Sequence, residues 1–223
     1  MAKATRGSER REDALSRERI VEVAIELLDE EGEGGLTFRA LATRLATGPG
    51  AIYWHIANKG ELLGAASDAV VARAMDEVLA VATPHEAIRG IAVVVFEAID
   101  AHPWVGAQLS LAPWRTAMLR IFERIGRQVQ ALGVTDGDQF TAASALVSYI
   151  IGVSIQNAAN GRLLDPPVDR ADFLETVSAQ WKALDAHAYP FTRSIAAQLR
   201  EHDDRAEFLA GVDLILAGIA ASL

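Results

Sequence analysis

Helical periodicity runs through almost the whole of this 223-residue chain. Apolar side chains recur three and four residues apart from Ile20 to Leu28, from Leu62 to Met75, and in most later segments. This spacing places them on one face of an α-helix. No segment alternates apolar and polar residues for long enough to predict a β-strand. We therefore expect an all-α fold with about nine or ten helices.

The first four helices are predicted from the residues that begin them. Ser16, Thr37 and Asn58 each carry a side-chain oxygen that can cap the free amides of a following helix. Pro49 suits the first position of a third helix, because that position needs no amide donor and proline already has a helical φ. This third helix is expected to span about two turns, to residue 56. Glycines predict the end of the first helix: Gly32, Gly34 and Gly35.

The rest of the chain is also predicted to be helical. Breaks rich in proline, glycine or asparagine separate the predicted helices. The helices span about residues 85–101, a short piece from 103, then 113–132, 137–159, 169–187 and 204–222. Residues 188–204 are predicted to be a break without a helix of their own.

Composition excludes several classes of protein. The net charge of −9 argues against a protein that coats nucleic acid without specificity. The absence of cysteine excludes disulfides, thiolate catalysis and iron–sulfur clusters, and neither a metal nor a cofactor is expected. No apolar run approaches the roughly 18 to 20 residues of a membrane helix, and the N-terminus leads into charged residues. A cytoplasmic protein without membrane contact is therefore expected.

Charge is distributed unevenly near the N-terminus. Residues 20–36 contain six acidic residues and no basic one, whereas residues 37–60 contain Arg39, Arg44 and Lys59 and no acidic one. If the chain binds DNA, the second segment is where a polyanion is attracted.

The two short helices predicted in residues 37–56, separated by the three-residue break 46–48, have the spacing of a helix-turn-helix. The alternative is a corner between two helices in an α-helical enzyme or small-molecule-binding protein that does not bind DNA. No metalloprotease, serine-hydrolase or phosphate-binding motif is present, so catalysis is not expected.

Three segments, residues 20–28, 35–42 and 51–63, resemble the DNA-binding domain of the tetracycline-repressor (TetR) family of bacterial transcription regulators. The most specific part is the aromatic-aromatic-His sequence at 53–55. The resemblance implies a helix-turn-helix domain at residues 16–66 and a larger helical effector-binding and dimerisation domain at 67–223. Residues 1–15 are polar and charged, and they are expected to form a mobile arm.

The resemblance also assigns roles to individual residues. It implies base contacts from Arg39 and from the start of the third helix, where Pro49, Gly50 and Ala51 lie. It implies contacts to the DNA backbone from four residues: Thr37, Tyr53, His55 and Lys59. Trp54 falls at a position that is usually buried or packed on the phosphate side. Gly50 and Ala51 offer no side-chain donors to DNA bases. The resemblance therefore predicts how the domain binds DNA, but it does not predict which operator sequence it binds.

Weaker similarity extends into the second domain. Residues 102–104, 146–152 and 208–219 resemble the regulatory domain of the tetracycline-repressor branch, which implies a homodimer formed through the last helices and a bound small effector. Small residues at 145, 148 and 152 share a helical stripe that would let helices approach closely. A dimer with one helix-turn-helix per chain predicts an inverted-repeat DNA operator.

An effector pocket is predicted from large aromatic residues and a few polar ones among otherwise apolar helices. The candidates are Phe96, Trp104, Gln108, Trp114, Arg115, Met118, Phe122, Tyr149, Gln156 and Asn157. Cysteine is absent, and no histidine lies between His102 and His187, so we expect an organic effector bound without a metal. The predicted function is a repressor that leaves its operator when this effector binds.

Overall fold

A computed structural model describes residues 15–78, 83–111, 114–162 and 169–223. These residues form eleven α-helices and one 3-10 helix, and they contain no β-strand. The predicted all-α fold is therefore confirmed. The predicted arm, residues 1–15, lies outside this part of the chain except for Leu15.

The helices of the N-terminal third are α1 (Arg17–Gly35), α2 (Phe38–Arg44), α3 (Pro49–Tyr53) and α4 (Lys59–Asp76). The helices that follow are α5 (Pro84–Ala101), α6 (Pro103–Leu111), α7 (Thr116–Ala131), α8 (Gln139–Arg162), α9 (Arg170–Ala183), α10 (Pro190–Ile195) and α11 (Asp204–Ala221). A 3-10 helix, Ala196–Glu201, continues directly from α10.

The predicted helix starts in the first domain are confirmed. The side-chain oxygens of Ser16, Thr37 and Asn58 accept hydrogen bonds from the backbone N–H three residues later, at 3.1, 3.1 and 2.9 Å. Pro49 is the first residue of α3. These caps satisfy amides that lack a partner inside the helix, so local sequence fixes where each helix begins.

The predicted end of the first helix is confirmed, whereas that of the third needs correction. The helix α1 kinks at Gly32, where φ is 68°, and ends at Gly35. A positive φ suits glycine because it has no Cβ. The helix α3 ends at Tyr53 rather than at residue 56, because the backbone N–H groups of His55 and Ile56 both donate to the carbonyl of Ile52 and close a tight turn.

The predicted break at residues 188–204 is wrong. This segment holds α10 and the 3-10 helix, and the fold therefore has more helices than predicted. Pro190 is the first residue of α10, where its fixed φ favours a helix. Pro190 therefore starts a helix inside the segment that is predicted to be a break.

The first four helices share an apolar core. Ile20, Leu41, Ile52 and Leu62 come one from each helix, and none of them has any exposed side-chain surface. The helix α4 also packs against α5, α6 and α7. Because α4 packs on both groups of helices, a change in its tilt would move the first three helices relative to the rest.

The helix α8 is the central element of the later helices, and it packs against α5, α6, α7 and α11. Among the described helices, it is the one that is long and apolar enough by itself to cross a membrane, with a mean hydropathy of 1.3 in an 18-residue window. The expectation that no segment approaches that length is therefore wrong. In this structure 44% of that window is buried against the other helices, as in the core helix of a helical domain.

A candidate DNA-binding face and its connection to the second domain

The angle between α2 and α3 is fixed by packing on both sides of the turn that joins them. Phe38 of α2 stacks on Tyr53 of α3, with ring centroids 4.4 Å apart and planes 3° from parallel. On the inner side Leu41, Ile52 and Ile56 are buried in the core. These contacts hold the two short helices as a rigid unit, which a helix-turn-helix requires for placing one helix in a DNA groove.

Most of the residues predicted to contact DNA lie on the surface of this unit. The exposed residues are Thr37, Arg39, Pro49, Gly50, Tyr53, Trp54, His55 and Lys59, while Ala51 is half-buried. Trp54 is expected to be either buried or packed on the phosphate side of the DNA. It is 91% exposed, which excludes burial. The hydroxyl of Thr37 is occupied as the cap of α2, although it retains capacity to donate a hydrogen bond.

Two of the three cations on this face are paired with the acidic end of α1. The guanidinium of Arg44 forms a salt bridge with Glu30 and lies 3.6 Å from a carboxylate oxygen of Glu31. Its hydrogen bond lowers the pKa of Glu30 and raises the pKa of Arg44. The ammonium group of Lys59 donates to the backbone carbonyl of Glu33. The Arg39 side chain is exposed, and it donates no hydrogen bond to any residue in the described part of the chain.

The structure places Trp104, a predicted effector residue, against the DNA-binding helices. Its indole Nε1 donates to Asp29 of α1 at 2.7 Å, and its side chain is only 5% exposed. His102, just before α6, places its Nδ1 2.8 Å from the same carboxylate. Asp29 therefore joins the start of α6 to the end of α1.

A second set of contacts extends this connection. Gln108, also a predicted effector residue, donates from Nε2 to the Glu33 carboxylate at 2.9 Å and accepts from Arg115 at 3.3 Å. The Arg115 guanidinium lies over Gly64 of α4, where an added Cβ would approach it to 3.2 Å. We call Asp29, Glu33, His102, Trp104, Gln108 and Arg115 the interdomain network. Asp29 and Glu33 were not predicted as functional residues.

Two adjoining cavities lie beside α8. The larger, about 780 Å³, includes Phe96 in its lining, and the smaller, about 370 Å³, includes Tyr149 and Gln156. Asn157 lines both. The other effector candidates line neither cavity: Trp104, Gln108, Trp114, Arg115, Met118 and Phe122. The structure thus brings together only part of the predicted set, and the described residues contain no group of three or more His, Asp or Glu arranged to hold a metal.

Exposed small residues lie on both α8 and α11, which pack against each other. On α8 they include Ala145, Ser148 and Gly152, and on α11 they include Gly218, together with Leu214, which is 75% exposed. A Cβ added at either glycine would meet no atom within 4 Å. We call these residues the small-residue strip.

Comparison with known families agrees with this arrangement. The family model for bacterial regulatory proteins of the tetR family matches residues 20–66, and the model for the tetracyclin repressor-like C-terminal domain matches residues 85–223. The chain belongs to the TetR family. It is accordingly a TetR-family transcriptional regulator with a helix-turn-helix DNA-binding domain, and its relatives are not enzymes.

Three known proteins show the extent of the similarity. The TetR-family transcriptional regulator SCO7222 from Streptomyces coelicolor is 57% identical, with a TM-score of 0.85 over 93% of this chain and 99% of that one. The class D tetracycline repressor protein from Escherichia coli is 44% identical over 62 residues, which are 28% of each protein. ActR from Streptomyces coelicolor, solved in complex with actinorhodin, has a TM-score of 0.75 over 94% of this chain and 98% of that one. At 23% identity, ActR shows that the fold is shared.

Proposed function

We propose that this TetR-family regulator is a cytoplasmic repressor that binds an inverted-repeat operator as a homodimer and leaves it when a small organic effector binds the second domain. The observation that carries the proposal is the exposed surface of α2 and α3, where Arg39 and the aromatic residues of α3 face solvent on a chain with net charge −9. Repression is supported by the similarity of the first domain to the class D tetracycline repressor.

Different residues would read sequence and bind phosphates. Arg39 can form two hydrogen bonds to one guanine in the major groove, which is the commonest sequence-specific contact. Gly50 at the start of α3 would let the backbone approach the DNA closely. Tyr53, His55 and Lys59 would bind phosphates, and the bond from Lys59 to the Glu33 carbonyl would hold its ammonium group in position.

The small-residue strip supports the homodimer. An exposed Leu214 beside glycine and alanine surfaces is an apolar face that two copies of this chain can bury against each other around a two-fold axis. Small residues at the contact allow the helices of the two copies to pack closely. Two α3 helices presented by one dimer then fit two half-sites about one DNA turn apart.

Release from the operator needs a ligand that binds one arrangement of the domains better than the other. The helix α4 and the interdomain network are the elements through which such a difference would reach α3, because both join α1 to the second domain. ActR, which has the same fold, is known in complex with actinorhodin, so the fold can hold an organic molecule.

A gel-shift titration tests the DNA-binding part. DNA from upstream of the chain's own gene is labelled and titrated at several stated salt concentrations, and bound fragments are footprinted. We expect a salt-sensitive shift and a footprint with two-fold symmetry. Arg39→Ala should weaken binding to the footprinted sequence more than to random DNA, while Arg120→Ala, an exposed arginine of α7, should change neither. A footprint without symmetry, or equal losses for the two variants, would contradict the proposal.

A further inference from the structure

The two cavities beside α8 form a connected candidate ligand site, since they share Asn157, Asn160, His202 and Asp204 as lining residues. We call this space the α8–α11 cavity. Its volumes of about 780 and 370 Å³ are in the size range of sites that hold drug-sized molecules. It is bounded by α5, α8, α9, the 3-10 helix and α11, and none of its lining residues belongs to the interdomain network.

One side of the α8–α11 cavity is apolar and aromatic. Its lining side chains there are Phe96, Phe173, Leu174, Val177 and Leu199. Phe96 is held in place by stacking on Phe208, with ring centroids 4.7 Å apart. Fixed aromatic faces bind other aromatic rings and also attract cations.

The polar side of the cavity carries an excess of carboxylates. Asp100, Asp203, Asp204 and Glu207 line it, against the guanidinium groups of Arg170 and Arg205. Both guanidinium groups have carboxylate partners. Arg170 lies 2.7 Å from Asp204, and Arg205 lies 3.2 Å from Glu97 on α5. The charge of each guanidinium is therefore partly neutralised by a carboxylate, and the lining keeps an excess of negative charge.

Three of these carboxylates have no cationic partner in the described part of the chain. Asp203 caps α11 by accepting a hydrogen bond from the backbone N–H of Ala206 at 2.7 Å, which leaves Asp100 and Glu207. Asp100 accepts one long hydrogen bond, 3.4 Å, from the amide of Asn157, and the Glu207 side chain accepts none. Burial raises the pKa of the Tyr149 hydroxyl, and the negative charge of Glu207 raises it further. The Glu207 carboxylate therefore acts on a group that lines the cavity. His202 faces the same space, with its Nε2 3.0 Å from Asp204.

We propose that the α8–α11 cavity binds an aromatic organic cation, such as a planar aromatic amine or a quaternary ammonium compound. The ring system lies against Phe96 and Phe173, and the positive charge lies between Asp100 and Glu207. The side-chain amides of Asn157 and Asn160 supply neutral hydrogen bonds. This inference rests on the proposed function, in that the ligand is the effector, and it names the ligand's chemical class.

A pair of dyes with the same ring system tests the ligand class. Tetramethylrhodamine methyl ester is a cation and fluorescein is an anion at neutral pH, and both contain a xanthene core. Binding of each to the full-length protein is measured by fluorescence anisotropy. We expect the cation to bind at least about tenfold more tightly than the anion, with a difference that shrinks as salt is added.

Two double variants distinguish cation binding by the cavity carboxylates from attraction to the overall negative charge of the chain. The double variant Asp100→Asn/Glu207→Gln should weaken cation binding by about fivefold to tenfold. The matched control Glu123→Gln/Asp136→Asn removes two exposed carboxylates elsewhere and should leave binding within about twofold. Thermal unfolding followed by circular dichroism confirms that each variant is folded, and the salt dependence of the unmodified protein provides a measurement that needs no variant.

Two results would overturn the ligand class: equal or tighter binding of fluorescein, or an equal loss of cation binding in the control variant. Operator binding without dye is measured on the same protein samples. A normal operator shift together with either result contradicts the ligand class alone, whereas a wild-type protein that gives no operator shift contradicts the proposed function.

Discussion

The hydrogen bond between Trp104 and Asp29 should couple the two domains energetically. Trp104 is 5% exposed, so without the Asp29 carboxylate its indole N–H would be buried with little access to water as an alternative acceptor. Hydrogen bonds to charged groups contribute about 1.5 to 3 kcal/mol, and an unsatisfied buried donor costs a similar amount. The Asp29 and His102 side chains are 30% and 28% exposed, so water can replace their mutual contact. We therefore expect Asp29→Ala to lower the free energy of unfolding by about 2 kcal/mol.

A double-mutant cycle measures this coupling. Trp104→Phe keeps an aromatic ring in the site and removes only the N–H donor and part of the ring volume. The cycle Asp29→Ala/Trp104→Phe subtracts the loss of packing, and the remaining coupling should be about 1 to 2 kcal/mol in urea unfolding. In thermal melts Asp29→Ala alone should lower Tm by about 4 to 8 °C for a domain pair of this size.

The control is Asp136→Ala, which removes an exposed carboxylate near the start of α8 and should change stability by less than about 0.5 kcal/mol. A coupling energy below about 0.5 kcal/mol in the cycle would refute the argument, because it would show that the two substitutions act independently. The operator affinity of the same variants then shows whether the contact also sets the position of the DNA-binding helices.

Three further outcomes are expected. Arg39→Ala should weaken operator binding by about 1 to 3 kcal/mol and relax one base preference, whereas Lys59→Ala should weaken binding to all sequences alike and flatten the salt dependence, as measured by anisotropy on specific and random DNA. Gly211→Ala should destabilise the fold by about 1 to 3 kcal/mol in urea unfolding, because its methyl group would overlap the Tyr149 hydroxyl between α8 and α11. Gly152→Arg should convert the dimer to monomers in light scattering, since it places a charge in the small-residue strip; an unchanged mass would show that the dimer forms elsewhere.

Helix starts were predictable because they depend on neighbouring residues. The caps at Ser16, Thr37 and Asn58 join atoms only three residues apart, so the local sequence is enough to predict them. Pro190 shows the limit of this approach. A proline fits either a break or the first turn of a helix, and tertiary packing decides between them.

The candidate DNA-binding residues of the first domain follow from a local motif and stay a prediction, whereas the structure brings together only part of the pocket predicted in the second domain. Trp104 and Gln108 are predicted for that pocket because of their chemical type. Their hydrogen-bond partners, Asp29 and Glu33, are 75 residues earlier in the chain. A single sequence contains no signal for such a pairing, because an aromatic residue suits a core, a pocket and a domain contact equally well.

Gln156 belongs to two surfaces at once. It lines the smaller cavity, and its side chain is exposed on α8 one turn beyond Gly152 of the small-residue strip. A ligand that moved this side chain would therefore alter the surface on which the proposed second copy of the chain docks. Linkage requires the reverse effect with equal strength, so ligand affinity would rise or fall with protein concentration. The amount of regulator in the cell would then set the effector concentration at which the gene responds.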